Sequence, residues 1–558
     1  MKKLVECVPN FSEGRDQAVI DQITGEISAV DGVTLLDVDP GADTNRTVVT
    51  MVGEPDAVIE AAFQAIRMAG ELIDMTKHSG AHPRMGATDV CPFVPVSGLT
   101  MDDCAELARR LGQRVGDELG IPVYLYEHAA SRPERQNLAA VRKGEYEGLA
   151  GRDYDSEYWA PDFGPSTFNA KSGATAIGAR EFLIAYNINF NTRNHKRVHD
   201  IAMEIREAGR NKRGPDRKFI RDENGVPIKQ PGLLKAVKAI GWYIEDYGVA
   251  QLSVNLTSHT TTPLHMLFET VREEARKRGL RATGSELVGL IPLDAILEAG
   301  RHYLDLQKGS KGIPEKDIVH IAVKSLGLDE LYPFEPEKKI IEYAVREKGE
   351  LASLTVEDFC DVLSTDAPAP GGGSVAALCG GLSGALTAMV GNLTVGKGIS
   401  KDRKETARSL AERAQRLKAF FVSAIDDDTR AFNRVMDCFK LPNKSDTQKA
   451  ARQAAIEEAN KGATMVPLEV LRRSVEALEL AEKMVPIGNP NCASDAGVAG
   501  LTGRAAAHGA YYNALINLAG IEDEEFCANV REEANQLKAE ADEIAVRIAE
   551  ATEAKLTG

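Results

Sequence analysis

From about Ser353 to the end of the chain, no run of residues alternates as a strand does. The sequence becomes a succession of Ala-, Leu-, Glu- and Lys-rich stretches with helical spacing. Before that point, apolar runs and amphipathic stretches take turns. "VTLLDVD" (33–39), "RTVVTMVG" (46–53), "VCPFVPV" (90–96) and the start of "PVYLYEHAA" (122–130) read as strands. "AVIEAAFQAIRMAGELI" (57–73) and "MDDCAELARRLGQRVGDEL" (101–119) read as helices, and a loop-rich stretch covers 158–179. A second α/β segment starts at "FLIAYNINF" (182–190). It continues through "AQLSVNL" (250–256), a helix over 262–278 and "ELVGLIPLDAILEAG" (286–300). Within it, Asn224-Gly225 between apolar pairs predicts a hairpin. A chain of 558 residues exceeds one core. The expected layout is two α/β subdomains, α+β sandwich-like, at 1–181 and 182–335. A linker or short connecting helix follows at 336–352, then an all-α helical-bundle domain at 353–558.

The net charge of −16 argues against a general nucleic-acid binder. Local basic clusters still leave room for an anionic substrate, and "RNKRGPDRKFIR" (210–221) holds six basic residues against one acid. The eight cysteines are scattered without a C-x-x-C pair, so neither a zinc site nor a disulfide framework is expected. The opening "MKKLVECVPNFSEG" reaches Glu6 and Asn10 too soon for a signal-peptide core, which points to a cytoplasmic protein. Ala367–Gly396 carries no charge and is long enough to span a bilayer. Its Gly, Ala, Ser and Thr content, with Asn392 inside, suits a closely packed bundle helix instead.

Several residues are candidates for chemistry. His82 precedes Pro83 and so is extended, and Gly80 and Gly86 permit close approach of a ligand. His78 reads as a cap or a solvated residue. Asp37 and Asp39 alternate at the end of a strand, where Asp39 is a candidate to orient His82. Asn10, Ser12 and Arg46 lie at strand edges, and Arg46 offers a fork for a carboxylate. Each also fits an ordinary turn or surface ion pair. Later in the chain Leu410, Ala414, Leu417, Phe421, Ala424, Asp428, Ala431 and Val435 fall on one helical face, and Asp428 interrupts its apolar stripe. Such a carboxylate costs several kcal/mol, roughly, unless bonded, neutralised or lining a cavity. It fits either a buried aspartate bonded to a neighbouring helix or a proton-transfer group of raised pKa. Asp426 and Asp427 fall elsewhere and can pair with Arg430. "PGGGS", ending at Ser374, opens a helix and suits close packing or anion binding; it lacks the lysine of a phosphate loop. Asn489 and Asp495 are weaker candidates for the same cavity.

Taken together, "LVECVPNFSEGRD", "DVDPGADTNRTV", "HSGAHPRMGATDVCPFVPV", "WAPDFGPSTF" and "GATAIGAREFLIAYNIN" resemble glutamate formimidoyltransferases. "APAPGGGSVAALCGGLSGALTAMVGNLT" and "IDDDTRAF" resemble formimidoyltetrahydrofolate cyclodeaminases. Their order resembles the bifunctional formimidoyltransferase-cyclodeaminase family over essentially the full length, with extra residues in 210–230. The resemblance implies a transferase and ammonia lyase of histidine breakdown. A formimidoyl group passes from N-formimidoyl-L-glutamate to N5 of tetrahydrofolate, and the product cyclises to 5,10-methenyltetrahydrofolate with loss of ammonia. It implies that His82 and Asp428 are catalytic, and that Arg84 holds a substrate carboxylate or the loop. It also implies a folate-binding loop of Gly164, Pro165, Ser166, Thr167, Phe168, Asn169, Ala170, Lys171, Ser172 and Gly173. The co-substrate is tetrahydrofolate, polyglutamylated, with 210–221 a candidate for its tail; no metal, nucleic acid or membrane is implied. The family's assembly implies a homo-oligomer built from dimers, for which the heptad-like 527–551 is a candidate interface. Two alternatives stay open: an N-formylglutamate formyltransferase fused to a methenyltetrahydrofolate cyclohydrolase-like domain, and a non-catalytic folate carrier.

Overall fold

The computed structural model describes residues 3–42, 44–80, 82–216, 218–346, 349–394 and 399–557. The chain forms two compact units, Met1–Ala299 with Ala322–Arg346, and Gly300–Ile321 with Glu347–Gly558. The first unit begins β1 (Leu4–Cys7), β2 (Asn10–Phe11), α1 (Gln17–Ser28), β3 (Val33–Gly41), β4 (Arg46–Gly53) and α2 (Pro55–Leu72). Next come β5 (Thr88–Ser97), α3 (Met101–Leu119), β6 (Val123–Glu127), the short α4 (Leu138–Val141) and α5 (Glu145–Leu149), and β7 (Thr175–Ala179). The seven strands form one sheet in the order β1-β4-β2-β5-β7-β6, with β3 on the edge of β4. The β5–β7 and β6–β7 pairs are parallel and the others antiparallel. Alternate positions decide the two faces. Val5, Cys7, Val49, Met51, Cys91 and Phe93 share a core with Ile23, Val58, Ala62, Ile66, Leu107 and Leu111 of α1–α3. The intervening positions face the other way.

β7 lies inside the stretch read above as loop. Its sequence TAIGA lacks the aromatic and branched density that marks a strand. The sheet needs that smallness: a Cβ on Gly178 would come within 2.5 Å of the Tyr126 carbonyl oxygen. The same unit continues with β8 (Ile184–Phe190), α6 (His195–Ile205), β9 (Arg210–Asn211), β10 (Lys229–Gln230), β11 (Val237–Ile244) and β12 (Val249–Leu256). Then follow α7 (Leu264–Lys277), β13 (Ala282–Val288), the start of α8 (Leu293–Leu306), the end of α9 (Glu315–Leu326), α10 (Pro336–Lys339) and α11 (Ile341–Ala344); residues 300–321, with the rest of α8 and α9, belong to the second unit. A second, antiparallel sheet has the order β11-β12-β8-β13. The strand β11 was not among those expected. The hairpin at Asn224-Gly225 forms, with Gly225 at φ +78 and the Asp222 N–H donating to Val226 O at 2.9 Å. Of the basic cluster, Arg217 lies outside the described residues, Arg210 pairs with Asp200 and Glu204, and Arg213 stacks on Phe219. Within 336–352, residues 336–344 carry α10 and α11, and Glu347 and Lys348 lie outside the described residues.

The second unit is helical: α12 (Val356–Leu363), α13 (Gly372–Leu393), α14 (Lys401–Phe439), α15 (Asp446–Ile487), α16 (Ala493–Asn517) and α17 (Glu524–Thr557). Among the described residues, α13 is the one helix long and apolar enough to cross a membrane. Most of it is buried in the bundle, and its small residues explain the composition. Gly380 abuts Phe421, Gly384 abuts Ala414 and Lys418, and the Ser383 hydroxyl donates to Ala499 O at 2.7 Å. Val395 and Gly396, the end of the uncharged run, lie outside the described residues. The heptad-like stripe of α17 is not left over for a second copy. Val530, Ala534, Ala541, Ile544 and Ile548 are buried within this bundle, and Ile548 packs over Gly500.

Two neighbouring glycines test this close packing. A Cβ on Gly380 would come within 2.5 Å of the Phe421 ring, whereas one on Gly381 meets nothing nearer than 3.7 Å. Gly380→Ala is expected to lower the unfolding free energy of the helical unit by about 1–3 kcal/mol. Gly381→Ala is expected to raise it by up to about 1 kcal/mol. Denaturant titration followed by far-UV circular dichroism reads both.

Candidate active sites

The first site forms on the sheet face away from α1–α3. Val48 lies opposite both Asn10 and Asp39, and Arg46 lies opposite Gly41. Residues directly opposite share a face, so Asn10, Asp39 and Arg46 point to the same side. The turn after α2 brings His82 onto that side, half-buried. Its Nδ1 is 2.7 Å from the Pro83 carbonyl oxygen, and Arg46 Nη1 lies 2.6 Å from Nδ1 and against Nε2. The Pro83 carbonyl only accepts and suits a proton on Nδ1, while the Arg46 guanidinium only donates and suits the lone pair of Nε2. Burial, then the Arg46 charge, pulls the His82 pKa down to about 4. Arg46 is itself pulled down to about 10, chiefly by burial, and its Nε has no hydrogen-bond partner among the described residues.

Not every expected residue reaches this imidazole. Asp39 does not orient it: the ring's bonded partners are Arg46 and Pro83, while Asp39 is exposed on the edge strand. The reason is that β3 runs on to Gly41, which keeps Asp39 in the ladder opposite Val48 rather than at a free strand end. Arg84 is 7% exposed, and its guanidinium is taken by Glu147 at 2.6 and 2.8 Å and Glu145 at 3.4 Å. Its Nε donates to His78 Nδ1 at 3.2 Å, so Arg84 holds the loop and is not an open fork. His78 is not a solvated residue, because its other nitrogen sits 2.9 Å from Asn45 O. Asn10 donates to Val8 O, and the Ser12 hydroxyl donates to Gly86 O at 2.7 Å, so both brace the backbone. Sequence reasoning missed Asp89 and Arg142. Asp89 is fully buried and accepts from Arg142. Its signal was a lone charge inside the buried run Thr88–Val94; Arg142 gave none.

The loop Gly164–Gly173 is tied to the same turn. Ala87 N–H donates to Ser172 O at 2.8 Å and Ala174 N–H to Met85 O at 2.9 Å. Gly86 and Gly173 meet there, and a Cβ on either would come within 2.3 Å of backbone oxygen. Pro165, Ser166, Thr167, Ala170 and Lys171 are exposed, and Phe168 packs against Tyr146 at 5.8 Å between ring centroids. Asn169 caps the turn by accepting the Ser172 N–H, and Lys171 Nζ donates to Glu71 O. Tyr146 links loop and turn: its hydroxyl donates to Ala170 O at 2.6 Å and its N–H to Arg84 O at 2.9 Å. Beside it, an open cavity of about 520 Å³ is lined by His78, Ser79, Gly80, Arg84, Gly144, Glu145 and Glu147.

The second site lies at the start of α13. Leu410, Ala414, Leu417, Phe421, Ala424 and Ala431 are buried on one face of α14, and Asp428 sits half-buried in that row. The Ser374 hydroxyl donates to Asp428 Oδ2 at 3.3 Å and to Ile425 O at 2.9 Å. Burial pushes the Asp428 pKa up, against the opposing effect of the Ser374 hydroxyl and N–H. Gly373 makes room: a Cβ there would come 2.1 Å from Asp428 Oδ1. Asn513 of α16 lies beside Gly372 on the same rim. Asp427 pairs with Arg430 as expected, but Asp426 turns inward and accepts the N–H groups of Leu351 and Ala352. Asn489 does not join this site. It donates to Leu393 O at the far end of α13, about 30 Å away for a helix of 22 residues.

Residues 4–180 match the model of the formiminotransferase domain, N-terminal subdomain, and residues 185–346 that of the formiminotransferase domain. Residues 355–536 match the formiminotransferase-cyclodeaminase model. The formimidoyltransferase-cyclodeaminase of Rattus norvegicus is 43% identical over 544 residues, 97% of each chain. A glutamate formimidoyltransferase of Streptococcus pyogenes is 44% identical over 307 residues, 55% of this chain and 95% of its own. A methenyltetrahydrofolate cyclohydrolase of Methylorubrum extorquens is 40% identical over 202 residues, 36% of this chain and 97% of its own. With a relative matched nearly end to end and the three family models matched in order along the chain, the chain belongs to the formimidoyltransferase-cyclodeaminase family.

Proposed function

We propose that the chain carries out two consecutive steps on tetrahydrofolate. In the first unit, N5 of tetrahydrofolate attacks the amidine carbon of N-formimidoyl-L-glutamate, and the bond from that carbon to the glutamate nitrogen breaks. The attacking nitrogen loses a proton and the leaving nitrogen gains one. His82 supports this role because, with Nδ1–H on Pro83 O, its Nε2 is the basic nitrogen of the ring, and it faces the Arg46 guanidinium. Such a group contributes about 10²–10⁴-fold by general acid–base catalysis. Arg46 supplies the cation for a donor carboxylate in place of the occupied Arg84. The loop Gly164–Gly173 offers the exposed backbone and side chains that receive the pterin.

In the second unit, N10 attacks the amidinium carbon of the N5-formimidoyl group. The N10 proton passes to the departing nitrogen, ammonia leaves and the methenyl cation remains. Asp428 is the carrier of that proton. The observation that supports it most is its placement: one carboxylate on an apolar helical face, braced by Ser374 and given room by Gly373. Burial raises its pKa, which favours a carboxyl that both takes and returns a proton. Polyglutamylation of the folate, with Lys212, Lys218 and Arg221 as cations for the tail, belongs to the same reading. So do a homo-oligomeric assembly, the absence of a metal cofactor and a cytoplasmic location. A cyclohydrolase-like second step is the alternative that the M. extorquens relative favours; it forms no ammonia.

His82→Ala is expected to cut transfer by about 10²–10⁴-fold while leaving cyclisation of supplied 5-formimidoyltetrahydrofolate near wild type. Asp428→Asn is expected to do the reverse. Release of glutamate reports the first step and methenyl absorbance the second; equal loss of both steps in a folded variant would contradict the assignment. A separate check needs no substrate. Because the pKa is depressed, His82 stays neutral from pH 8 to 5 and gains its proton only near pH 4, which NMR of ¹³C-labelled histidine reads directly.

A further inference from the structure

Asp89 and Arg142 take no part in the proton transfers above, yet they stand beside them. Asp89 Oδ1 accepts the Met85 N–H at 3.1 Å and Arg142 Nε at 3.2 Å, while Oδ2 accepts from Arg142 Nη2. Met85 ends the turn that begins at His82, and its carbonyl carries the bond to Ala174. Arg142 is the C-cap residue of α4. The pair therefore pins the histidine turn between β5 and α4.

The charges around the imidazole do not balance. Arg46 on β4, Arg142 after α4 and Asp89 on β5 all act on His82. Tyr126 on β6 stays neutral because burial raises its pKa. Arg84 is matched by Glu145 and Glu147, His78 bonds to Arg84, and Asp39 and Asp37 lie on the edge strand β3, Asp39 in solvent. Among the described residues, two half-buried guanidinium groups face one fully buried carboxylate, an excess of one positive charge. Buried excess charge is costly and favours an anion that forms bidentate bonds to arginine. It also makes the ring a weaker base than the reaction wants, since a general base works best with a pKa near the operating pH.

We propose that the Asp89–Arg142 pair is the positioning device of the transferase site, clamping the His82 turn and, with Arg46, leaving one positive charge to be matched by a carboxylate of the formimidoyl donor. This rests on the transferase reading and deepens it. A bound donor carboxylate neutralises the excess, so His82 becomes a stronger base only when the group to be transferred is present. Neither residue touches the reacting atoms; both act through the ring.

The test follows the His82 midpoint in the full-length chain by ¹³C-histidine NMR, with His82→Gln assigning the signal. L-Glutamate, which carries the donor's two carboxylates, is the probe. Saturating glutamate is expected to move the wild-type midpoint up by about one unit. Arg142→Gln is expected to raise the midpoint without ligand by a similar amount, Arg142→Lys to leave it near wild type, and Asp89→Asn to move it the other way. A purely structural pair would not give shifts of opposite sign. The proposal fails if glutamate leaves the wild-type midpoint in place, or if Arg142→Lys shifts it as far as Arg142→Gln. Should the variants not fold, the wild-type glutamate titration decides alone. A wild-type chain without transfer activity would overturn the transferase reading; an active one whose midpoint ignores glutamate would overturn only this inference.

Discussion

An ionisable group on a packed face must be compensated, and both sites of this chain are built on that constraint. Asp89 interrupts a buried strand and Asp428 interrupts a buried helical stripe. Asp89 is compensated by a cation and a backbone N–H, Asp428 by a hydroxyl and a backbone N–H. Because each carboxylate needs its partners, each fixes the local structure around it: the His82 turn in one case, the opening of α13 in the other. Gly373 follows from the same demand, since a side chain there would displace the Asp428 carboxylate.

The two sites perturb their titrating groups in opposite directions. Burial and a guanidinium push His82 toward its neutral form, while burial pushes Asp428 toward its protonated form. The difference lies in the charge type and not in the degree of burial, because a low dielectric disfavours whichever form is charged. A neutral imidazole suits removal of a proton from an attacking amine. A carboxyl whose pKa has risen suits a proton that must be taken and handed back within one ring closure.

Much of this was legible in the sequence for physical reasons. A helical period of 3.6 makes an intruding charge visible, and Asp428 could be singled out for that reason. Asp89 obeys the same rule but escaped, because a strand buried on both faces has no alternation against which a charge stands out. The strand β7 escaped because its small residues serve close packing against Tyr126 and carry little hydrophobic signal. Arg84 was open to two readings, and what decided between them is Glu147, 63 residues further along the chain. The link between the histidine turn and the pterin loop is a pairing of backbones, Met85–Ala87 with Ser172–Ala174, to which side-chain identity contributes only the two glycines. The stripe of α17 was correctly apolar, but a period shows that a face is buried and not what buries it.

The central claim is that one chain passes a single carbon unit from glutamate nitrogen to N5 and then to N10, with a proton carrier at each stage. The most direct measurement is the stoichiometry from one purified sample given N-formimidoyl-L-glutamate and tetrahydrofolate. The account predicts glutamate, ammonia and 5,10-methenyltetrahydrofolate in equal amounts. Methenyl product without ammonia, or glutamate release that never leads to the methenyl product, would contradict it.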